Sequence, residues 1–245
     1  MGRAHEVRAA SMAKTAAIKS KLYSRYGKEL YIAAKSGVPD PEMNLALRAK
    51  IKEAKSNQVP ADVIKRAIEK AKGGTQENYD EVRYEGFGPA NSTFIVDCLT
   101  DNTNRTYTDV RTAFTKSKGC KIGATGSVSF NYERLGIFDF ESDMSEDDLL
   151  ELLIMEDINV TEVEVDDGYI EVKVESSDFS KAQDCLEANI EGVTFDRCEV
   201  AMIPNDGYIE LTDEDDIAAY KKLMSMLLES EDVNQIYSNV KEIED

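Results

Sequence analysis

A tight hairpin signal inside residues 135–204 is the feature that most restricts the fold of this chain. Asp166–Gly168 separates two runs of alternating apolar and polar residues, the pattern of two antiparallel strands joined by a short turn. A strand pattern at Ile137–Phe140 and a helix pattern precede the hairpin. A helix near Phe179–Asn189 and a strand at Val193–Ile203 follow it. The order β-α-β-β-α-β predicts a ferredoxin-like α+β domain.

The segment before this unit lacks part of a domain, and the tail after it supplies what is missing. Residues 79–133 show a strand at 93–99, a helix after Asn104 and a second strand at 128–132, which contains Val128, Phe130 and Tyr132. The tail adds a helix entered at Thr212 and a last strand near Gln235–Val240. We therefore predict a discontinuous middle domain.

Residues 1–74 show helical periodicity and no strand pattern. The first helix is expected from about Arg8, the second from Asp40 and Pro41, and the third from Val59 and Pro60 to Gly73. The prediction is an α+β multidomain protein, with an N-terminal three-helix domain followed by two α+β (ferredoxin-like) domains, the middle one discontinuous. The expected bounds are 1–74 for the basic helical domain, 75–134 plus 205–245 for the discontinuous domain, and 135–204 for the inserted one.

Charge is distributed very unevenly along the chain. The net charge is −19, yet residues 1–74 carry 16 Lys and Arg against 7 Asp and Glu. Residues 134–245 carry 7 against 33. This asymmetry is typical of a basic nucleic-acid-facing segment on an acidic body. The acidic half could also be an interaction module for basic proteins or simply a solvated surface.

One stripe of the first helix concentrates the basic charge. Five cations fall within a narrow arc of the helix: Lys14, Lys21, Arg25, Lys28 and Lys35. An ordinary solvated lysine face would look the same. Its position in the basic segment favours nucleic-acid contacts.

A polar loop at 100–106 joins the strand at 93–99 to the following helix. A cation among amide side chains at a helix N-terminus suits a phosphate or carboxylate partner. We assign to this second nucleic-acid contact Asn102, Asn104, Arg105 and Thr106. The structural alternative is a capped turn in which Arg105 pairs with Asp101 or Asp109.

Several function classes have little support. The four cysteines are widely spaced and there is one histidine, so no zinc site is expected. An enzyme would have to use Asp97 or Asp101, for which no partner carboxylate stands out. The glycine-rich run Gly119–Ser127 lacks a P-loop pattern and is at most a backbone cradle. We expect no catalytic residues, no cofactor and no small-molecule substrate. No apolar run or leader suggests a membrane span or export, so a cytoplasmic location is expected.

Motifs in a fixed order resemble the YebC/PmpR family. They are Arg83–Pro89, Leu99–Asn102 with Asn104–Thr106, Val110 and Arg111 with Phe114, and Gly126–Val128. The family is described as probable transcriptional regulatory proteins, and a mitochondrial relative activates translation of cytochrome c oxidase. The likeness is close over most of residues 10–133 and extends to the acidic half only in pattern.

The resemblance implies three domains, a cytoplasmic location, and DNA binding in members described as regulators. It also implies ribosome-associated action in members that assist translation. The sequence therefore favours a nucleic-acid-binding regulator. Its alternative is a translation factor that contacts ribosomal or transfer RNA. The first residues, Gly2–Arg8, depart from the Gly-His-Ser-Lys-Trp start common in the family, which indicates a divergent subgroup at this end.

Overall fold

The computed structural model describes residues 16–73, 78–241 and 243. These residues form two compact units. One contains the described residues up to 73 together with 134–201, and the other contains 78–133 and the described residues from 202 onwards. None of the helices in these ranges is long and apolar enough to cross a membrane.

Helices are followed by two groups of mixed strands and helices along the described chain. In chain order they are α1 Ala16–Lys35, α2 Leu45–Ser56, α3 Ala61–Lys72, β1 Asp80–Phe87, β2 Thr93–Thr100, α4 Thr103–Lys116, β3 Lys121–Ile122, β4 Tyr132–Glu141, α5 Glu146–Met155, β5 Val160–Asp166, β6 Tyr169–Glu175, α6 Phe179–Asn189, β7 Phe195–Pro204, α7 Glu214–Glu229 and β8 Val233–Ser238. The predicted fold class is confirmed: in the described residues, three helices precede two sheets that pack against further helices.

The first helix was expected from about Arg8, a start that lies outside the described residues. The other two N-terminal helices follow the prediction except at the start of α2. Asp40, where the second helix was expected to begin, instead accepts a hydrogen bond from the Glu42 N–H inside a turn. Asn44 caps the helix, since its side chain accepts from the Leu47 N–H and donates to the carbonyls of Ala33 and Val38. An Asn buried between two helices satisfies more backbone groups there than a solvent-facing Asp can.

The sheet of the first unit has the strand order β5-β6-β4-β7, as the ferredoxin-like pattern requires. The turn between β5 and β6 is the predicted hairpin, and Asp167 and Gly168 both have positive φ there. One face of the sheet packs on α5 and α6 through an apolar core that includes Phe138, Val172 and Leu186. All the strands and helices predicted from the periodicity of residues 135–204 are therefore present.

The opposite face of the same sheet carries buried charges. Asp139 on β4 lies directly across from Glu171 on β6, and both side chains are almost completely buried. Lys173 pairs with Glu171 at 2.7 Å and also with Glu162. Neither carboxylate oxygen of Asp139 has a hydrogen-bond partner among the described residues. Burial, opposed by Arg197 and reinforced by Glu171, raises the pKa of Asp139 from 3.8 to about 7.

The second unit repeats this spatial layout with a different chain order. Its sheet has the order β3-β1-β2-β8, and α4 and α7 cover one face through Phe94, Phe114 and Leu223. Strand β1 occupies the place that the third strand of a ferredoxin-like sheet would take, although it comes first in the chain. The last strand, β8, comes from the tail and pairs antiparallel with β2. The middle domain is therefore discontinuous, as predicted; the three domain bounds stay predictions.

The strand predicted at 128–132 is wrong. Residues Ser129–Asn131 form a single 3₁₀ turn, and β4 begins only at Tyr132. The reason is the Glu85 carboxylate, which accepts hydrogen bonds from the N–H groups of Val128 and Ser129. Backbone N–H groups that donate to a side chain are not available to pair with a neighbouring strand.

We expect Asp139→Asn to make the protein more stable at alkaline pH. A carboxyl group whose pKa is raised in the folded state stabilises that state below its unfolded pKa. This contribution is lost as the pH rises through the folded value. Between pKa values of 3.8 and about 7 the loss reaches about 4 kcal/mol, and Asn does not suffer it. The advantage of the variant in urea unfolding should therefore be small near about pH 4 and nearly complete at about pH 8.

The exposed Asp143→Asn is the matched control, because it removes a carboxylate from the same unit without removing a buried one. Parallel stability curves for wild type and Asp139→Asn across this pH range would show that Asp139 is an ionised, compensated carboxylate.

Candidate nucleic-acid interface

The basic stripe of α1 divides into residues with different surroundings. Lys14 lies outside the described residues, Lys21 and Lys28 are half-buried, and Lys35 is exposed at the end of the helix. Arg25 is buried. The spacing predicted that these residues share one face of one helix. In the structure, however, Arg25 lies inside the fold while Lys35 faces solvent.

Arg25 is a structural residue of the first unit. Its guanidinium pairs with Glu199 of β7 at 3.2 Å and with Glu29 at 3.7 Å, and it lies 4.7 Å from the ring centroid of Tyr26. Burial would raise the pKa of Glu199, but Arg25 and Arg197 outweigh it and lower that pKa to about 2. A guanidinium held in this way is not available to a phosphate.

Lys35 instead belongs to a cluster that only the packing of α1 on α3 creates. Its Nζ lies 5.8 Å from the ring centroid of Tyr31, and the Nζ of Lys70 from α3 lies 5.4 Å from the same centroid. Both lysines are exposed, whereas the Tyr31 side chain is almost completely buried. The ring thus holds two ammonium groups at one place by cation–π attraction. We call Lys35, Tyr31 and Lys70 the lysine–tyrosine cluster.

Lys70 was missed by the sequence interpretation. It lies 35 positions after Lys35 on a different helix, so no periodicity connects the two. The available signal was the amphipathic pattern of the third helix, which shows that it packs but not which residue of α1 it meets.

The loop at 100–106 is a capped strand-to-helix turn. The Asn102 side chain accepts a hydrogen bond from the Arg105 N–H at 3.1 Å, so Asn102 is the N-cap of α4. Asn104 is exposed, and the Thr106 side chain is completely buried. The predicted site residues therefore divide into exposed amide groups and a hydroxyl group that lies inside the fold.

Asp232, just before β8, binds side chains of this loop, although it follows Arg105 by 127 positions in the sequence. Arg105 donates to it from Nε at 3.1 Å and from Nη2 at 2.8 Å, and Thr106 Oγ1 donates to it at 2.9 Å. Arg105 also pairs with Asp101 at 2.8 Å. The Asp232 main chain takes part as well, because its carbonyl accepts from the Leu99 N–H. We call these contacts of Asp232 the Asp232 network.

This network explains why a cation occupies the first turn of a helix. Burial would raise the pKa of Asp232, but the hydrogen bonds from Arg105 and Thr106 lower it. An ionised carboxylate that is nearly buried needs such donors. Arg105 thus pairs within the fold as the structural alternative expected, with Asp101 and with the distant Asp232. About half of its side chain remains exposed.

The end of the predicted backbone cradle at Gly119–Ser127 binds a carboxylate of the protein itself. The buried Glu85 carboxylate accepts hydrogen bonds from the N–H groups of Gly126, Val128 and Ser129, and from Ser129 Oγ. Burial acts to raise the pKa of Glu85, and these donors lower it. The amide groups of Gly126 and of the two residues Val128 and Ser129 just after the run therefore bind an internal carboxylate. Elsewhere, no group of three or more His, Cys, Asp or Glu in the described residues is placed to hold a metal ion.

Comparison with known proteins gives the family. The family sequence model described as "TACO1/YebC second and third domain" matches residues 79–240, and the one described as "TACO1/YebC protein N-terminal domain" matches residues 3–74. The chain belongs to the TACO1/YebC family. The resemblance found in the motifs is thereby confirmed.

Relatives in this family match the chain over almost its whole length. A protein of Pseudoalteromonas translucida (strain TAC 125) is 49% identical over 239 residues, which cover 98% of each chain. One of Marinobacter nauticus is 48% identical with the same coverage. Both are named probable transcriptional regulatory proteins. The crystal structure of a conserved hypothetical protein from Aquifex aeolicus is 32% identical, with a TM-score of 0.74 over 95% of this chain and 94% of that one.

We expect Asp232→Asn to lower the free energy of unfolding by about 1–3 kcal/mol, because it removes a nearly buried, hydrogen-bonded carboxylate. Arg105→Ala should also destabilise. The two effects should be markedly less than additive in the double variant, since they remove the same contact. Urea unfolding of the four proteins measures this coupling.

Asp101→Asn is the matched control for this cycle, because the Asp101 side chain is 62% exposed and should matter little. Additive effects of Arg105→Ala and Asp232→Asn would contradict the Asp232 network.

Proposed function

We propose that this protein is a nucleic-acid-binding regulator of gene expression that acts in the cytoplasm without catalysis, with DNA as the favoured target. Its membership of a family whose curated relatives are named probable transcriptional regulatory proteins supports regulation. The observation that carries nucleic-acid binding is the lysine–tyrosine cluster, in which two exposed ammonium groups from different helices meet at one ring.

The cluster can engage phosphates in spite of the acidic total. Charges in water act over a Debye length of only about 8–10 Å, so the local composition decides which ion binds. The cluster lies within the segment of net charge +9, and Lys28 adds a cation on the same helix. Phosphate contacts by lysines carry no sequence information, so this surface would supply affinity and position.

The 100–106 loop contributes a second contact in this proposal. Asn104 and the exposed part of the Arg105 side chain are two groups of that loop that face solvent. Asn102 is exposed too, although its side-chain oxygen already caps α4. Amide and guanidinium groups can bind base edges as well as phosphates. Arg25 and Thr106 have no part in this contact, because both are buried and bonded within the fold.

A ribosome-associated translation factor that contacts ribosomal or transfer RNA is the second candidate. The observation that favours it is the acidic half, where residues 134–245 hold 33 Asp and Glu against 7 Lys and Arg. Such a surface is repelled along an extended duplex but not at a single shaped site where only the basic surface makes contact. Crosslinking in cells, followed by sequencing of the bound nucleic acid, separates the two candidates. Promoter DNA supports the first and ribosomal or transfer RNA the second.

We expect the double variant Lys35→Ala, Lys70→Ala to bind nucleic acid more weakly and with less dependence on salt. Each lost phosphate contact reduces the slope of log affinity against log salt by about 0.9 for duplex DNA and about 0.7 for single strands. The slope for the double variant should therefore be less steep by about 1.8 or about 1.4. Fluorescence anisotropy of the full chain with labelled duplex DNA and labelled structured RNA measures it.

Lys222→Ala removes an exposed lysine from the acidic part of the chain and is the matched control. If the double variant keeps both the affinity and the slope of the wild type, the lysine–tyrosine cluster is not the interface.

A further inference from the structure

Phe130 is a large aromatic side chain that the fold keeps in solvent. It is 77% exposed at the centre of the 3₁₀ turn Ser129–Asn131. Its neighbours along the chain, from Gly126 to Ser129 and at Asn131, are small or polar apart from the buried Val128. It is also the only large hydrophobic side chain exposed in residues 110–132, all of which the structure describes. The side chain is therefore an isolated aromatic tip on a polar turn.

The turn that carries Phe130 is held on both sides. Before it, the Glu85 carboxylate accepts from the N–H groups of Gly126 at 2.8 Å and Ser129 at 2.9 Å, and from Ser129 Oγ at 2.9 Å. After it, Asn131 accepts from the Asn205 N–H at 3.0 Å and donates to Asp206 at 2.9 Å. A turn fixed in this way cannot move to bury the ring. The backbone that carries the ring is therefore already ordered before a ligand binds, so binding does not have to order it.

The turn lies at the end of the longest stretch of residues 75–245 that contains no Asp or Glu. Residues 110–132 contain four Lys and Arg and no Asp or Glu, whereas residues 75–245 have a net charge of −28. One of these cations, Lys121, is exposed, and its Nζ lies 5.2 Å from the ring centroid of Phe87. Phe87 packs against the core cluster that contains Val128, the residue two positions before Phe130. Lys121 thus belongs to the same side of the sheet as the turn.

We propose that Phe130 is a stacking platform for an unpaired nucleic-acid base, with Lys121 as the cation for the adjoining backbone phosphate. This inference rests on the proposed function. It names an unpaired base as the ligand that residues 75–245, the acidic part of the protein, would bind. Aromatic side chains combined with lysines are the chemistry by which proteins bind single strands, since every base offers a π-face. A protein partner would call for a contiguous apolar patch, which Phe130 does not have around it.

Phe130→Trp provides a direct test, because the chain contains no tryptophan. The new indole is the sole tryptophan fluorophore of the full-length protein, and a base that stacks on it quenches its emission. We expect single-stranded oligo(dT) or oligo(U) to quench it at the concentrations at which each binds. Blunt duplex DNA of equal length should quench it much less. The comparison of oligo(dT) with oligo(U) shows whether the base comes from DNA or RNA.

Phe130→Ala gives the corresponding loss. We expect single strands to bind roughly 5- to 150-fold more weakly, which corresponds to about 1–3 kcal/mol for one stacked base. Phe130→Trp should bind at least as well as the wild type. Thermal unfolding should be unchanged by Phe130→Ala, because the side chain is exposed. Met155→Trp, at a residue that is 78% exposed on α5, is the matched fluorescence control and should not be quenched.

The outcomes separate this inference from the proposed function. Salt-dependent binding that needs Lys35 and Lys70 but leaves Trp emission unchanged, or leaves the affinity of Phe130→Ala unchanged, overturns the stacking platform alone. Equal quenching in Met155→Trp also overturns it. Absence of any binding to the single strands, duplex DNA and structured RNA overturns both proposals.

Discussion

The Asp232 network is the interaction on which the architecture of the second unit depends. Its sheet is built from two distant parts of the chain, and the last strand must find β2 after more than a hundred intervening residues. Closing so long a loop costs conformational entropy, which specific contacts must offset. Asp232 supplies them at one point, because its side chain binds Arg105 and Thr106 and its carbonyl accepts from the Leu99 N–H.

Buried carboxylates perform this joining role repeatedly in an acidic chain. Glu85 holds the turn before Phe130, and Glu199 holds Arg25 of the first helix against β7. In each case donors surround the carboxylate and lower its pKa. Asp139 is the contrasting case, buried across from Glu171 with no donor among the described residues, and its pKa is raised. The number of donors therefore decides whether a buried acid stabilises this fold at neutral pH.

The side chains proposed to bind nucleic acid are exposed ones whose positions are set by buried contacts of the fold. Lys35 and Lys70 meet because Tyr31 is buried between two packed helices, and Phe130 is exposed because Glu85 and Asn131 hold its turn. Both are prearranged groups on rigid elements, which bind with a smaller loss of entropy than mobile loops do. The proposed contacts thus follow from the packing of the scaffold.

The sequence by itself determined most of the elements and their order. The turn at Asp166–Gly168, the helix after Asn104 and the uneven charge are local properties of hydrogen bonding, periodicity and composition, so they can be read without a structure. Tertiary structure alone decided which distant groups meet. Arg25 became a buried partner of Glu199, 174 positions away, and Glu85 removed the strand expected at 128–132. A side chain's partner across the fold leaves no periodic trace in the sequence, so the roles of these residues could not be predicted from it.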